Sequence, residues 1–144
     1  MRVSELMHTP AVTCAPTTTL REAGQLMARR HVGSVVVIDQ VGEVAGIVTD
    51  RDIVLRAVAE GRSADVTVDT VMTRNVATID TRADIADAAA TMMKRRVRRL
   101  PVVDERGHVH GVLTLDDMLR DMGRQADEMS EVLLFQSSSL SNET

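Results

Sequence analysis

The sequence predicts an α/β (α+β) fold built from two duplicated β-α-β-β-α halves. Three observations predict it. The chain overlays on itself at a shift of 65 residues: of the 54 pairs formed by residues 3–56 and 68–121, 14 are identical. Composition alone gives about three to five matches, so the repeat is a duplication. Each copy passes through the same alternation of helical and extended periodicity. And 44% hydrophobic residues at a mean hydropathy of −0.04 suit a packed globular chain.

Each half opens on a short helical turn, "VSELM" at 3–7 and "VDTVM" at 68–72, with Ser4 and Asp69 as candidate N-caps. A short extended piece follows, "AVTCAP" and "VATIDT". The first long helix starts at Thr19, with Glu22 at capping-box spacing and Leu20, Ala23 and Met27 at helical intervals. Its counterpart starts at Asp84 and carries Ile85, Ala88 and Met92. Two strands come next, "SVVVID" then "VAGIVT", and "LPVVDE" then "VHGVLT", each pair joined by a turn with Gly42 or Gly107. A last helix begins after Thr49 or Thr114 and is expected to close at Gly61 or Gly123.

One half is too small to bury a sufficient core alone, so the halves are expected to pack on each other. The predicted layout is domain one at 1–60, a linker at 61–67, domain two at 68–123, an amphipathic helix at 124–135 and a disordered tail at 136–144. No stretch of about 18 apolar residues predicts a membrane span, and the N-terminus has no signal-peptide pattern. With Cys14 the only cysteine, no internal disulfide forms, and a cytoplasmic protein is expected.

Several function classes recede. Aromatic content is 1%, with Phe135 the single aromatic residue, so stacking platforms for single-stranded nucleic acid are lacking. Net charge is −4. The basic run "KRRVRR" at 94–99 is a candidate nucleic-acid patch, but cations also suit the C-terminal end of a helix, and nucleic acid is the disfavoured reading. His108 and His110 lack a neighbouring third ligand, so no metal site is expected. Cys14 matches Ile79 in the repeat and reads as a small hydrophobe. No nucleophile–base–acid set, P-loop or Gly-x-Gly-x-x-Gly is present, and the chain is not expected to be an enzyme.

The phrase "GIVTDRDI" at 46–53 returns as "GVLTLDDM" at 111–118. Thr followed by Asp three residues on is a capping arrangement, and by itself needs no ligand. Yet Thr49, Asp52, Thr114 and Asp117 stay fixed while their neighbours drift. An ionised Asp is acceptor-only and suits a bidentate contact with a vicinal diol, such as the ribose hydroxyls.

Together, "HVGSVVVIDQVGEVAGIVTDRDI" and "RVRRLPVVDERGHVHGVLTLDDM" resemble a tandem pair of cystathionine-β-synthase (CBS) domains, or Bateman module, over about residues 3–122. The resemblance implies a pseudo-two-fold unit with two clefts between the halves. It implies regulatory binding of an adenine nucleotide (AMP, ADP or ATP) or of S-adenosylmethionine, with no required cofactor. By the family pattern Asp52 and Asp117 hold the ribose, Thr49 and Thr114 lie by the ribose or phosphate, and Thr13 and Thr78 lie near the base. Val32, Gly33 and Ser34, and Val97, Arg98 and Arg99, fall where the family places base or phosphate contacts. Arg98 and Arg99 against Gly33 and Ser34 break the repeat, and phosphates are expected at the arginines. The family also implies a homodimer through the helices. The competing reading is a ligand-independent interaction protein in which Thr-x-x-Asp only caps helices.

Overall fold

The computed structural model describes residues 1–142, and side chains through residue 135. Each half holds one three-stranded sheet. In the first, β1 (Thr13–Cys14) pairs parallel with β2 (Ser34–Ile38), which pairs antiparallel with β3 (Val44–Thr49). In the second, β4 (Ile79–Asp80), β5 (Arg99–Val103) and β6 (Val109–Thr114) repeat the order and the register. The register pairs Ser34 with Thr49 and Arg99 with Thr114. Each hairpin is closed by an Asp at its first corner. The Asp39 carboxylate accepts the Val41 and Glu43 amides at 3.0 and 2.9 Å, and Asp104 does the same for Arg106 and His108 at 2.9 and 3.0 Å. Gly42 and Gly107 take φ of 87° and 80°, which the turns require and a side chain resists.

The two long helices start as expected, and of the two predicted stops one holds, at Gly61, and one does not, at Gly123. In α2 (Leu20–Arg30) the Thr19 hydroxyl accepts the Glu22 amide at 3.2 Å, and Leu20, Ala23 and Met27 are buried. In α4 (Ile85–Arg95) the cap is Asp84, with Ala88 and Met92 buried. Both end on a left-handed residue that is not glycine, His31 and Arg96. After β3, α3 (Asp50–Ile53) widens into a π turn over Val54–Val58 before Gly61, at φ 72°, releases the chain. After β6, α5 (Leu115–Asn142) does not stop at Gly123 as the sequence predicts. Arg124 pairs with Asp121 at 2.9 Å and Glu128 at 2.5 Å, contacts that span the glycine and favour the helical path there. The predicted helix at 124–135 is therefore the continuation of α5. The predicted disordered tail at 136–144 falls on residues whose side chains lie outside the description.

The opening segments change places. Val3, from α1 (Val3–Leu6), belongs to the second core, with Ala88, Leu100, Val102 and Leu113. Val68, Val71 and Met72, around a 3-10 turn at Val68–Thr70, belong to the first, with Leu20, Val35 and Val48. This crossing overturns Ser4 and Asp69 as N-caps; the caps are Arg2 and Thr67. The first amides need no capping side chain because the opposite half supplies carbonyls. Val3 and Ser4 donate to Ala83 and Thr81 at 2.8 and 3.3 Å, and Val68 and Asp69 donate to Thr18 and Pro16 at 2.7 and 3.3 Å.

Candidate functional site

The crossing segments each add a rung to the opposite sheet. His8 exchanges both backbone hydrogen bonds with Val112, at 2.9 and 3.0 Å, and Thr73 exchanges both with Ile47, at 2.8 and 3.0 Å. The chain passes so close that a Cβ on Gly111 would lie 2.4 Å from the His8 carbonyl oxygen. One on Gly46 would lie 2.8 Å from that of Thr73. The glycine in the repeated phrase is thus the place where one half admits the other's backbone.

Two cavities of about 560 Å³ open beside these crossings. The first joins Thr114, Asp116 and Asp117 of the second half to Val32, Gly33 and Ser34 of the first. The second joins Thr49 and Asp50 of the first half to Val97, Arg98 and Arg99 of the second. Arg99 lines both. Each cavity therefore has one wall from a strand-to-helix junction and one from the chain entering the other half's hairpin. Thr13 is half-buried in β1, Thr78 is exposed before β4, and neither lines a cavity; Val12 and Ala77 do so in their place. Asp52 is likewise absent from the second lining.

At both junctions Thr and Asp form a reciprocal cap. The Asp52 carboxylate accepts the Thr49 amide at 3.0 Å while the Thr49 hydroxyl accepts the Asp52 amide at 3.0 Å. The Thr114–Asp117 pair does the same at 3.1 Å each way. The second carboxylate oxygen differs. In Asp117, 6% exposed, it meets the His8 ring at 2.6 Å. In Asp52 it faces the Arg56 guanidinium at 3.8 Å. Burial pushes the Asp117 carboxyl up, but hydrogen bonds from Thr114 and His8 outweigh it and hold the group below its usual range.

Sequence reasoning missed His8, Arg30, His31, Asp116 and Arg120 in the first cavity and Asn75, Arg95 and Arg96 in the second. Arg95 and Arg96 were legible only as part of a basic run. His8 carried no signal, since its role depends on the crossing. His108 and His110 do not act together: the His110 ring binds Asp104 at 2.8 Å, while the His108 ring lies against Gly42 of the other hairpin. Cys14 packs on the first core and burial pushes its thiol up. No helix among the described residues is long and apolar enough to cross a membrane.

Comparison with known proteins agrees with this geometry. The sequence model of the CBS domain matches residues 3–58 and 68–124. The CBS domain-containing protein YhcV of Bacillus subtilis is 36% identical over 116 residues, 81% of either chain. The uncharacterized protein MK0525 of Methanopyrus kandleri is 33% identical over 119 residues, and this chain spans 61% of its length. Among solved structures, the CBS domain pair of protein MJ0100, in complex with 5′-methylthioadenosine and S-adenosyl-L-methionine, superposes with a TM-score of 0.79. It is 27% identical and the match covers 87% of this chain and 98% of that one. The CBS domain protein PAE2072 of Pyrobaculum aerophilum, complexed with AMP, gives 0.75 at 29% identity, covering 81% and 89%.

Proposed function

Because this chain belongs to the CBS domain family, we propose that it is a non-catalytic, cytoplasmic regulatory module whose two clefts bind adenosine-containing ligands. One observation carries the reading: each cleft is shared between a Thr-x-x-Asp junction of one half and the hairpin entry of the other. A molecule held there touches both halves, so it can favour one arrangement of them over another. It does so only to the extent that its affinity differs between the two. The adenosine compounds held by MJ0100 and PAE2072 support the ligand class. In the first cleft a ribose diol competes with His8 for the outer oxygen of Asp117. Titration calorimetry with AMP, ADP, ATP and S-adenosylmethionine tests this. At least one binds more tightly than about 1 mM, and Asp117→Ala weakens one of the two sites. If none reaches that affinity, the reading falls and the ligand-independent interaction protein replaces it.

A homodimer is part of the proposal, on a separate observation. Leu119, Met122, Met129 and Leu133 are each more than half exposed on α5. With Ala126 they follow steps of three and four residues, the seam spacing of paired helices. The e and g positions beside this seam, Gly123, Gln125, Ser130 and Val132, carry no charge, so a second copy is held by the apolar stripe and not by ion pairs. Leu133→Glu is expected to shift the mass measured by analytical ultracentrifugation from dimer toward monomer. An unchanged mass places the contact elsewhere.

A further inference from the structure

We infer that the second cleft, between Thr49 and Arg99, is a polyphosphate site, and that the first cleft is not. This rests on the reading of the clefts as ligand sites and adds which anion each accepts. The second cleft is lined by five arginines, Arg51, Arg95, Arg96, Arg98 and Arg99, against one aspartate, Asp50. The first, of the same volume, has three arginines, Arg30, Arg99 and Arg120, against Asp116 and Asp117. The sequence places the arginines there by two routes. Arg95 and Arg96 end α4, where cations suit the helix C-terminus. Arg98 and Arg99 replace the Gly33 and Ser34 of the first copy.

What the arginines lack is as telling as their number. Among the described residues, Arg51, Arg95, Arg96 and Arg99 have no carboxylate within ion-pair distance. Arg98 reaches only Asp116, at 3.8 Å with both side chains well exposed, a weak contact. Arg95 donates to the Asn75 carbonyl oxygen at 2.8 Å, which fixes its direction without neutralising it. Like charges gathered around one cavity repel, and an anion of matching charge relieves them. Guanidinium groups bind phosphate oxygens in pairs. A monophosphate cannot engage five of them, whereas a diphosphate or triphosphate can. A cavity of about 560 Å³ is of small-molecule size, which favours a small polyphosphate over a nucleic-acid duplex.

Calorimetric titration of the full chain with AMP, ATP and inorganic tripolyphosphate tests the assignment. ATP is expected to bind at least about tenfold tighter than AMP, the scale of one added charge-assisted contact. Tripolyphosphate is expected to compete with ATP. The exposed-residue double variant R51Q/R98Q removes the ATP preference, while R30Q/R120Q in the first cleft keeps it. Circular dichroism confirms that both variants fold. Equal affinity for AMP and ATP, or a preference that survives R51Q/R98Q, overturns the inference and leaves the adenosine reading standing. Tripolyphosphate binding with no adenosine compound bound does the reverse. A short single-stranded oligonucleotide that outcompetes ATP, and loses that advantage in R51Q/R98Q, overturns it in favour of a nucleic-acid face.

Discussion

The Thr49–Asp52 and Thr114–Asp117 junctions are the same phrase in the two halves, with the same cap hydrogen bonds to within 0.1 Å. Their surroundings are not alike. Asp117 is buried and held by a histidine from the crossing segment, where the first half has Thr73 at the matching position. Asp52 is capped but answers to Arg56 on its own helix, and leaves the cavity wall to Thr49 and Asp50. The capping role belongs to the backbone path and is retained in both copies. The outer carboxylate oxygen belongs to the neighbours, and there the copies part. Retention of a motif in a repeat therefore reports shared folding, while the residues one layer out make the two clefts chemically different.

Alanine substitution at the two repeated glycines is the strongest way to probe this equivalence. Gly111→Ala drives a methyl group onto the His8 carbonyl oxygen, which is backbone and cannot turn aside. A loss of about 3 kcal/mol is expected in urea unfolding. In Gly46→Ala the nearest atom is the Met72 sulfur at 2.6 Å, the end of a flexible side chain, and the carbonyl is farther. About 2 kcal/mol is expected there. Equal losses would mean that the two crossings are mechanically alike.

Next comes the acid itself. Asp117→Ala removes a buried carboxylate that accepts both the Thr114 amide and the His8 ring, and is expected to cost about 2 kcal/mol. Asp52→Ala removes mainly a cap contact and is expected to cost about 1 kcal/mol. A larger loss at Asp52 would break the comparison.

The smallest effect is in pH. The Asp117 carboxyl is held below its usual range in the folded chain. The folded state thus binds that proton less readily than the unfolded one, whose carboxyl titrates at about 3.9. Its contribution is complete above that value and is lost as the pH falls through the lower folded value. Asp117→Asn lacks the contribution, so its urea midpoint should fall less steeply on acidification than that of the parent. Parallel acid limbs would assign the shift to another group.

Local features were legible from sequence because their causes are local. Thr19, Asp84 and the Gly42 and Gly107 turns are specified by side chains within four residues, and they stand as read. Val32, Ser34, Val97, Arg98, Arg99, Thr49, Thr114 and Asp117 line the two cavities. Ser4 and Asp69 misled because the amides they would cap are satisfied by carbonyls of the other half, a partner no spacing rule sees. Gly46 and Gly111 looked like strand glycines; only the passing backbone explains them. Gly123 looked like a stop, yet glycine permits a helix end without requiring one, and α5 runs on through it.

The crossing of the opening segments bears on how such a chain can have arisen. A lone half in this arrangement would leave the site filled by Val3 or Val68 open, and trading segments with a second copy would close it. Its folding would be a bimolecular event that fails on dilution. Joining two copies through residues 61–67 turns that trade into a first-order step, set by the tether and not by concentration. It also frees the two copies from identity. In an exchanged dimer of identical chains any new arginine appears on both sides of the axis; in the joined chain Arg99 can face Ser34, and one side can change its chemistry while the other keeps its own.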